Sequence, residues 1–103
     1  MARKSAPDAV AVLGLGRFGK SLALELMAQG AEVMGIDASD TVVQKIASRL
    51  THAVVADTTD EESLRQLSVH EFDRAVVGIG SDLEASLLTA SALINIGVPN
   101  ANG

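Results

Sequence analysis

The sequence predicts an α/β fold built on a doubly wound parallel sheet with the strand order 3-2-1-4. Three observations support this prediction: short apolar runs alternate with helical patterns, a glycine-rich turn follows the first run, and an acidic residue ends the second. The 103 residues provide for one domain, since 48% are hydrophobic and 20% are charged. We expect residues 1–8 to be a disordered lead-in and residues 9–103 to be the domain, truncated before the fifth strand.

Four short runs are predicted to be strands, at residues 9–13, 32–36, 53–56 and 74–79. The first run, AVAVL, is apolar throughout, which suits a central strand covered on both faces. The second and third runs each end at an aspartate, Asp37 and Asp57.

Helical patterns fill the intervals between these strands. Residues 17–29 place apolar side chains at a spacing of four, and Gly30 supplies the stop. A second helix begins at Ser39 or Asp40 and runs to Arg49, with Val42, Val43, Ile46 and Leu50 on its buried face.

Two capping boxes begin the third and fourth helices, Thr59 with Glu62 and Ser81 with Glu84. Gly97 and Pro99 end the fourth. The apolar side chains expected in the core are Leu64 and Leu67 of the third helix, and Leu83, Leu87, Ala90 and Ile94 of the fourth. Part of the fourth helix's apolar stripe could instead face another subunit.

Composition excludes several kinds of protein. The chain has no cysteine, so it has no disulfide framework and no thiolate-bound metal, and its two distant histidines make a zinc site improbable. The net charge of −5 and the aromatic content of 2% argue against a nucleic-acid surface. No apolar stretch approaches the roughly 18 residues of a transmembrane helix.

Residues 14–21, GLGRFGKS, fit two phosphate-binding motifs at once. As G-x-G-x-x-G, the first glycine allows a tight turn, Gly16 lets the backbone approach a pyrophosphate, and Gly19 permits close helix packing. As a P-loop, Lys20 would reach the β- and γ-phosphates and Ser21 would bind Mg²⁺, with Asp57 as the metal-orienting acid.

The spacing to Asp37 favours the dinucleotide motif and a Rossmann-like fold. This motif requires a strand, a turn, a helix and a second strand that ends in an acid about 20 residues on, which is where Asp37 stands. A carboxylate there can accept hydrogen bonds from both hydroxyls of an adenosine ribose, although it could also simply cap the next helix. The same charge would repel the 2′-phosphate of NADP.

The other candidate residues have structural explanations as well as functional ones. Arg17 is either a solvated charge or a bridge to a phosphate, and Asp57 with Thr58 either forms a turn or contacts adenine. Phe18 is expected to pack rather than bind, and His52 and His70 are expected to be surface loop residues. No catalytic set of residues can be assembled.

The segments GLGRFG (14–19), GID (35–37), ADTT (56–59), IGSD (79–82) and LINIGVPN (93–100) together resemble a known family. They are similar to the RCK N-terminal domain, also called the KTN or TrkA-N domain, of potassium uptake and channel regulatory proteins. The likeness covers residues 9–100, and it implies that residues 9–103 are part of such a nucleotide-binding domain.

The resemblance implies a set of binding residues. The glycines would hold phosphates, Arg17 would meet the distal phosphate, Asp37 would hold the ribose, and the turn after the third strand would border adenine. The full set consists of Gly14, Leu15, Gly16, Arg17, Phe18, Gly19, Asp37, Ala38, Asp57, Thr58, Ile79, Gly80 and Ser81. The implied ligands are NAD or NADH and ATP or ADP.

The resemblance also implies a function without catalysis. The domain would sense a nucleotide, assemble into dimers that form a ring, and gate a membrane-embedded potassium-translocating subunit from the cytoplasmic face of the membrane. Two alternatives stay open: the cofactor half of an NAD-dependent dehydrogenase, and a P-loop nucleotidase.

Overall fold

The computed structural model describes residues 8–79 and 82–98, together with the backbone of residues 101–102. The strands are β1 (Ala9–Leu13), β2 (Glu32–Asp37), β3 (His52–Val55), β4 (Arg74–Val77) and β5 (Ala101–Asn102). The helices are α1 (Arg17–Ala28), α2 (Asp40–Ile46), α3 (Glu61–Gln66) and α4 (Leu83–Asn95). Short 3₁₀ turns follow α2 at Ala47–Arg49 and α3 at Val69–Glu71.

All strand pairs are parallel, and the sheet order is β3-β2-β1-β4-β5. The predicted order 3-2-1-4 is confirmed. The expected truncation before the fifth strand is wrong, because residues 101–102 pair with β4 at Ala75 and Val76. The order reverses between β1 and β4, the point at which ligands bind in doubly wound sheets.

The β1 strand divides the core into two clusters, one on each face of the sheet. Val10 and Val12 belong to the cluster beneath α1 and α2, whereas Ala11 and Leu13 belong to the cluster beneath α3 and α4. All four side chains are fully buried. The uninterrupted apolar run therefore marks a central strand covered on both faces, as predicted.

Several helix boundaries differ slightly from the prediction. Ser39 caps α2, accepting a hydrogen bond from the Val42 N–H at 3.3 Å, and the helix passes into a 3₁₀ turn that ends at Arg49. Gly30 and Gly97 follow α1 and α4 with φ angles of 91° and 94°, as expected of glycines that end helices.

The predicted capping boxes are both wrong by one residue. Asp60, not Thr59, caps α3 by accepting from the Glu62 N–H, and Asp82 caps α4 by accepting from the Ala85 N–H at 3.0 Å. The Thr59 hydroxyl instead donates to Asp57 at 2.6 Å. A carboxylate at the helix start also stabilises the positive end of the helix dipole, which favours aspartate over its hydroxyl neighbour.

The predicted buried face of α4 is also wrong. Thr89, Ala92 and Leu93 are the buried residues of this helix, whereas the exposed fractions of Leu83, Leu87 and Ile94 are 73%, 62% and 67%. Leu88 is 51% exposed as well. We call Leu83, Leu87, Leu88 and Ile94 the α4 apolar surface.

Smaller corrections concern Phe18, His52 and Asp8. Phe18 was expected to pack but is 55% exposed on the first turn of α1. His52 is exposed, as expected, but begins β3 rather than lying in a loop. Asp8, assigned by sequence to the lead-in, accepts from the Glu32 N–H at 2.8 Å through its carbonyl, so the ordered domain includes it.

Candidate functional site

Three glycines pack closely against one another at the switch point between β1 and β4. Gly14 follows β1 with a φ angle of 102° and donates to the Ile36 carbonyl at 2.7 Å, while Gly78 follows β4 and donates to the Leu13 carbonyl at 2.7 Å. Gly19 of α1 lies directly on both of them. A Cβ on Gly19 would come within 2.8 Å of the Gly14 carbonyl carbon and 3.2 Å of the Gly78 oxygen. The first turn of α1 can therefore pack against the sheet only because Gly19 has no side chain.

Gly16 differs from the other two glycines of the motif. It is the N-cap residue of α1, no side chain caps that helix, and a Cβ added at Gly16 would meet nothing within 4 Å. The backbone at the start of α1 thus faces open space, and the first N–H groups of a helix favour an anion. This geometry fits the role predicted for Gly16, close approach of backbone to a phosphate.

Asp37 joins the end of β2 to the glycine turn. One carboxylate oxygen accepts from the Leu15 N–H at 2.7 Å, and the other accepts from the Ser39 N–H at 2.9 Å. Asp37 therefore has a structural role, but it is not the helix cap, which is Ser39. An ionised carboxylate has about four acceptor sites, so two remain for donors such as the hydroxyls of a ribose.

A groove of about 240 Å³ opens at the carboxyl edge of the sheet, and we call it the carboxyl-edge groove. The sequence predicted six of the described residues that line it and missed Thr59 and Ala85. Thr59 lies beside predicted residues, whereas Ala85 reaches the groove only because α4 begins there. The lining residues are Gly14, Asp37, Ala38, Asp57, Thr58, Thr59, Ile79 and Ala85.

The turn after β3 is held by hydrogen bonds within the groove wall. The Thr59 hydroxyl and the Thr59 N–H both donate to the Asp57 carboxylate. The hydroxyl bond first, and the N–H bond second, hold the pKa of Asp57 below its ordinary value. The small stabilisation from this exposed carboxylate is therefore present above its ordinary pKa and is lost as the pH falls through the lowered one. Asp57 stays ionised throughout the neutral range.

Thr58 turns its hydroxyl away from the solvent. It shares a hydrogen bond of 3.0 Å with the hydroxyl of Thr89, a fully buried residue of α4. Next to this pair, the Ser86 hydroxyl donates to the Ile79 carbonyl at 2.7 Å. The two walls of the groove, the turn after β3 and the end of β4, are thus both tied to α4.

A second cavity, of about 430 Å³, lies between α1 and α2, and we call it the cationic pocket. Leu15, Gly16 and Arg17 of the predicted binding set line this cavity rather than the groove. The sequence did not predict the contribution of α2, which the β1-α1-β2-α2 crossover brings against α1. The lining residues are Leu15, Gly16, Arg17, Lys20, Ser21, Val42, Lys45 and Ile46.

The predicted set also includes Leu15, Phe18, Gly19, Gly80 and Ser81. Leu15, although it lines the pocket, is only 2% exposed and packs tightly over Gly35. Phe18 and Gly19 are not among the described residues of either lining, and Gly80 and Ser81 lie outside the described residues. Lys20 and Ser21 line one cavity and Asp57 the other, so the residues of the P-loop interpretation do not meet at one site.

Within residues 8–79 and 82–98, no group of three or more His, Asp or Glu side chains is arranged to hold a metal ion. In the same part of the chain, no helix has the length and apolar character needed to cross a bilayer.

Comparison with known families decides which glycine-motif fold this is: residues 10–99 match the TrkA-N domain. The chain belongs to the TrkA-N domain family. This membership confirms the resemblance drawn from the five sequence segments.

Curated relatives of this TrkA-N domain are Ktr system potassium uptake proteins of Bacillus subtilis (strain 168). Protein C is 43% identical over 88 residues, which is 85% of this chain and 40% of that protein. Protein A is 42% identical over 90 residues, 87% of this chain and 40% of that protein. The chain thus spans about 40% of the length of these relatives.

Solved structures agree with the fold. The NAD(P)-binding domain of an exopolyphosphatase-related protein from Archaeoglobus fulgidus matches with a TM-score of 0.80 at 30% identity, over 89% of this chain and 68% of that one. The Kef CTD of Shewanella denitrificans, solved in AMP bound form, matches with a TM-score of 0.72 at 21% identity, over 92% of this chain and 56% of that one. The second likeness concerns the fold alone.

Proposed function

We propose that this TrkA-N domain is a nucleotide-sensing regulatory module that binds NAD(H) or ATP/ADP along the carboxyl-edge groove. The observation that carries the proposal is the position of Asp37, whose carboxylate ends β2, contacts the glycine turn and lines the groove. The adenosine ribose would donate its hydroxyls to this carboxylate, and the adenine would lie between the turn after β3 and Ile79. The Archaeoglobus neighbour is an NAD(P)-binding domain, which supports the ligand class.

The phosphates would lie at the start of α1. Gly16 leaves the backbone accessible there, Gly14 and Gly19 set its position, and Arg17 is the first residue of α1. A dinucleotide adds its nicotinamide half when bound, whereas ATP or ADP adds only phosphates. Binding a nucleotide as a signal makes and breaks no covalent bond, so a sensing role needs no catalytic residue.

The regulated partner would be a membrane-embedded potassium-translocating subunit, with the domain at the cytoplasmic face of the membrane. The Ktr potassium uptake relatives support this part of the proposal. Regulation requires that a nucleotide binds two states of the assembly with different affinities, since equal binding shifts no equilibrium. NAD and NADH, or ATP and ADP, would then act as opposing signals.

The first prediction tests the ribose contact. We expect Asp37→Ala to weaken the binding of NAD, NADH, ATP and ADP by about tenfold or more, because it removes charge-assisted hydrogen bonds to the ribose. Isothermal titration calorimetry of the protein measures the four affinities. NADP should bind more weakly than NAD to the parent, because its 2′-phosphate would face the Asp37 carboxylate.

Asp40→Asn is the matched control, since Asp40 lies only three residues away and pairs with Gln44 outside the groove. Circular dichroism must show that Asp37→Ala is folded, because Asp37 also accepts from Leu15 and Ser39. Equal nucleotide affinity in a folded Asp37→Ala variant and its parent would refute the ribose role.

The second prediction concerns self-association, because we also propose that the domain forms the dimers and the ring that the family resemblance implies. The α4 apolar surface is the natural contact, because its large side chains stay exposed in one chain. We expect Leu87→Ser with Ile94→Ser to shift the protein toward monomer in sedimentation velocity experiments. Val55→Ser, at another exposed apolar side chain, should leave the distribution unchanged. A monomeric parent at all concentrations would contradict assembly through α4 in this chain.

Two enzymatic alternatives make different predictions. A dehydrogenase half would support hydride transfer when its substrate-binding part is present, and a P-loop nucleotidase would hydrolyse ATP with Mg²⁺ and lose this activity in Lys20→Ala. The division of Lys20 and Asp57 between two cavities disfavours the nucleotidase. Unaltered nucleotide affinity in Lys20→Ala, with no hydrolysis by the parent, would exclude it.

A further inference from the structure

The nucleotide proposal uses Gly16 and Arg17 of the cationic pocket, but it does not explain Lys20, Lys45 or the apolar floor. Its floor is apolar, with Leu15 and Ile46 almost fully buried and Val42 half-buried. Its rim carries the exposed side chains of Arg17, Lys20 and Lys45 and the hydroxyl of Ser21. A volume of about 430 Å³ lies within the range of small-molecule sites, which combine an apolar lining with a few polar groups.

The three cations of the rim have no carboxylate partners within the described residues. The ion pairs in that part of the chain join His70 to Glu71 and Arg74 to Asp8, and no Asp or Glu lines the pocket. The chain is acidic overall, with a net charge of −5. Even so, half of the lysines and arginines between residues 8 and 98 are at this pocket, the others being Arg49, Arg65 and Arg74.

Like charges that line one cavity repel one another, and an anion bound among them would offset this repulsion. Phosphate suits this rim better than a carboxylate, because it carries up to two charges and three terminal oxygens, enough for two ammonium groups and a guanidinium together. The apolar floor would accommodate a non-polar portion of the same ligand.

We propose that the cationic pocket between α1 and α2 is a second site, for a phosphate-bearing ligand, beside the proposed nucleotide groove. Among the described residues the two linings have none in common. Gly16 and Arg17 of the pocket are also proposed to meet the nucleotide phosphates, whereas Lys20, Ser21 and Lys45 belong only to the pocket. The phosphate group can come from a soluble metabolite or from the headgroup of an anionic lipid. The pocket gives this chain a use for the Lys20-Ser21 pair that the dinucleotide motif does not require.

The test uses inorganic pyrophosphate as the soluble probe and measures its affinity for the protein by calorimetry. We expect the double variant Lys20→Gln with Lys45→Gln to weaken pyrophosphate binding by about tenfold or more, since two charge-assisted contacts are removed. Arg49→Gln, a neutralised cation outside the pocket, should bind as the parent does. All altered side chains are exposed, and melting curves should confirm unchanged folding.

Vesicles distinguish the two sources of phosphate. Co-sedimentation with phosphatidylglycerol in phosphatidylcholine, but not with phosphatidylcholine alone, and its loss in the double variant, would assign the site to a lipid headgroup. Pyrophosphate binding without vesicle binding would assign it to a soluble ligand. Equal affinity of the double variant and the parent for both probes would overturn the proposal.

A further arm separates this site from the nucleotide groove. Pyrophosphate binding through Lys20 and Lys45 should persist in Asp37→Ala, and it should persist in the parent saturated with whichever nucleotide binds tightest, even with Arg17 engaged by that nucleotide. If saturating nucleotide abolishes pyrophosphate binding, the pocket is only the phosphate end of the groove and the second site is refuted. If no nucleotide binds at all, the nucleotide proposal fails while the pyrophosphate titration still tests the pocket.

Discussion

Gly19→Ala should lower the free energy of unfolding by about 3 kcal/mol or more, because the new methyl group would enter backbone rather than a flexible side chain. Its Cβ would be 2.8 Å from the Gly14 carbonyl carbon and 3.2 Å from the Gly78 oxygen. Neither strand end can retreat, since Gly14 and Gly78 are each hydrogen-bonded to a neighbouring strand at 2.7 Å. Urea unfolding measures the effect as a shift in the transition midpoint.

Gly16→Ala is the matched control in the same motif. It has room for a methyl group and an ordinary φ angle of −70°, so its stability should change by less than about 1 kcal/mol. Nucleotide binding should nevertheless weaken in Gly16→Ala, because the methyl group would stand where a phosphate approaches the backbone. Equal urea midpoints for Gly19→Ala and the parent would mean that α1 does not cross the strands this closely.

Leu93→Ala should destabilise the domain by about 2 to 5 kcal/mol, the usual range for removing a fully buried leucine. Leu87→Ala, on the same helix, should change the stability of the single chain by less than about 1 kcal/mol because Leu87 is mostly exposed. Thermal and urea unfolding at low protein concentration compare the two. Self-association should weaken in Leu87→Ala, even though the stability of the single chain changes little in this variant.

Leu93→Met keeps the prediction testable if Leu93→Ala does not fold. A volume-conserving change should lower stability by less than about 1.5 kcal/mol. The assignment of the buried face of α4 would be wrong if Leu87→Ala destabilised the dilute protein more than Leu93→Ala.

The sequence was sufficient for the sheet because its information is local. The run AVAVL can be buried on both faces only as a central strand, and the distance from Gly14 to Asp37 matches one helix and one strand. Strand order then follows from the crossover connections of such folds. These features can be predicted without knowing which face of each helix is buried.

The buried face of α4 could not be predicted, because the contacts that select it are not local in sequence. Its sequence, LEASLLTASALIN, has apolar residues around most of its circumference, so periodicity does not select one side. The buried side includes a threonine, which can be buried because Thr58 supplies its hydrogen bond across the structure. A partner 31 residues away leaves no local pattern in the sequence.

Some residues of the candidate site could be predicted from sequence spacing, and others could not. Asp37 was identified by spacing, but Ala85 and Lys45 reach their cavities only through the packing of whole helices. The capping errors at Thr59 and Ser81 arose because each stands next to an aspartate, and two adjacent capping residues leave the helix start uncertain by one position.

The hydrogen bond between Thr58 and Thr89 connects the wall of the carboxyl-edge groove to the buried side of α4. The opposite side of the same helix carries the α4 apolar surface. Packed interiors have low compressibility, so a ligand that displaced Thr58 would transmit strain to this helix. Thermodynamic reciprocity then requires that a protein held on the outward side changes ligand affinity by the same factor that the ligand changes protein affinity. If copies of this domain associate through that side of α4, the measured nucleotide affinity would depend on the protein concentration.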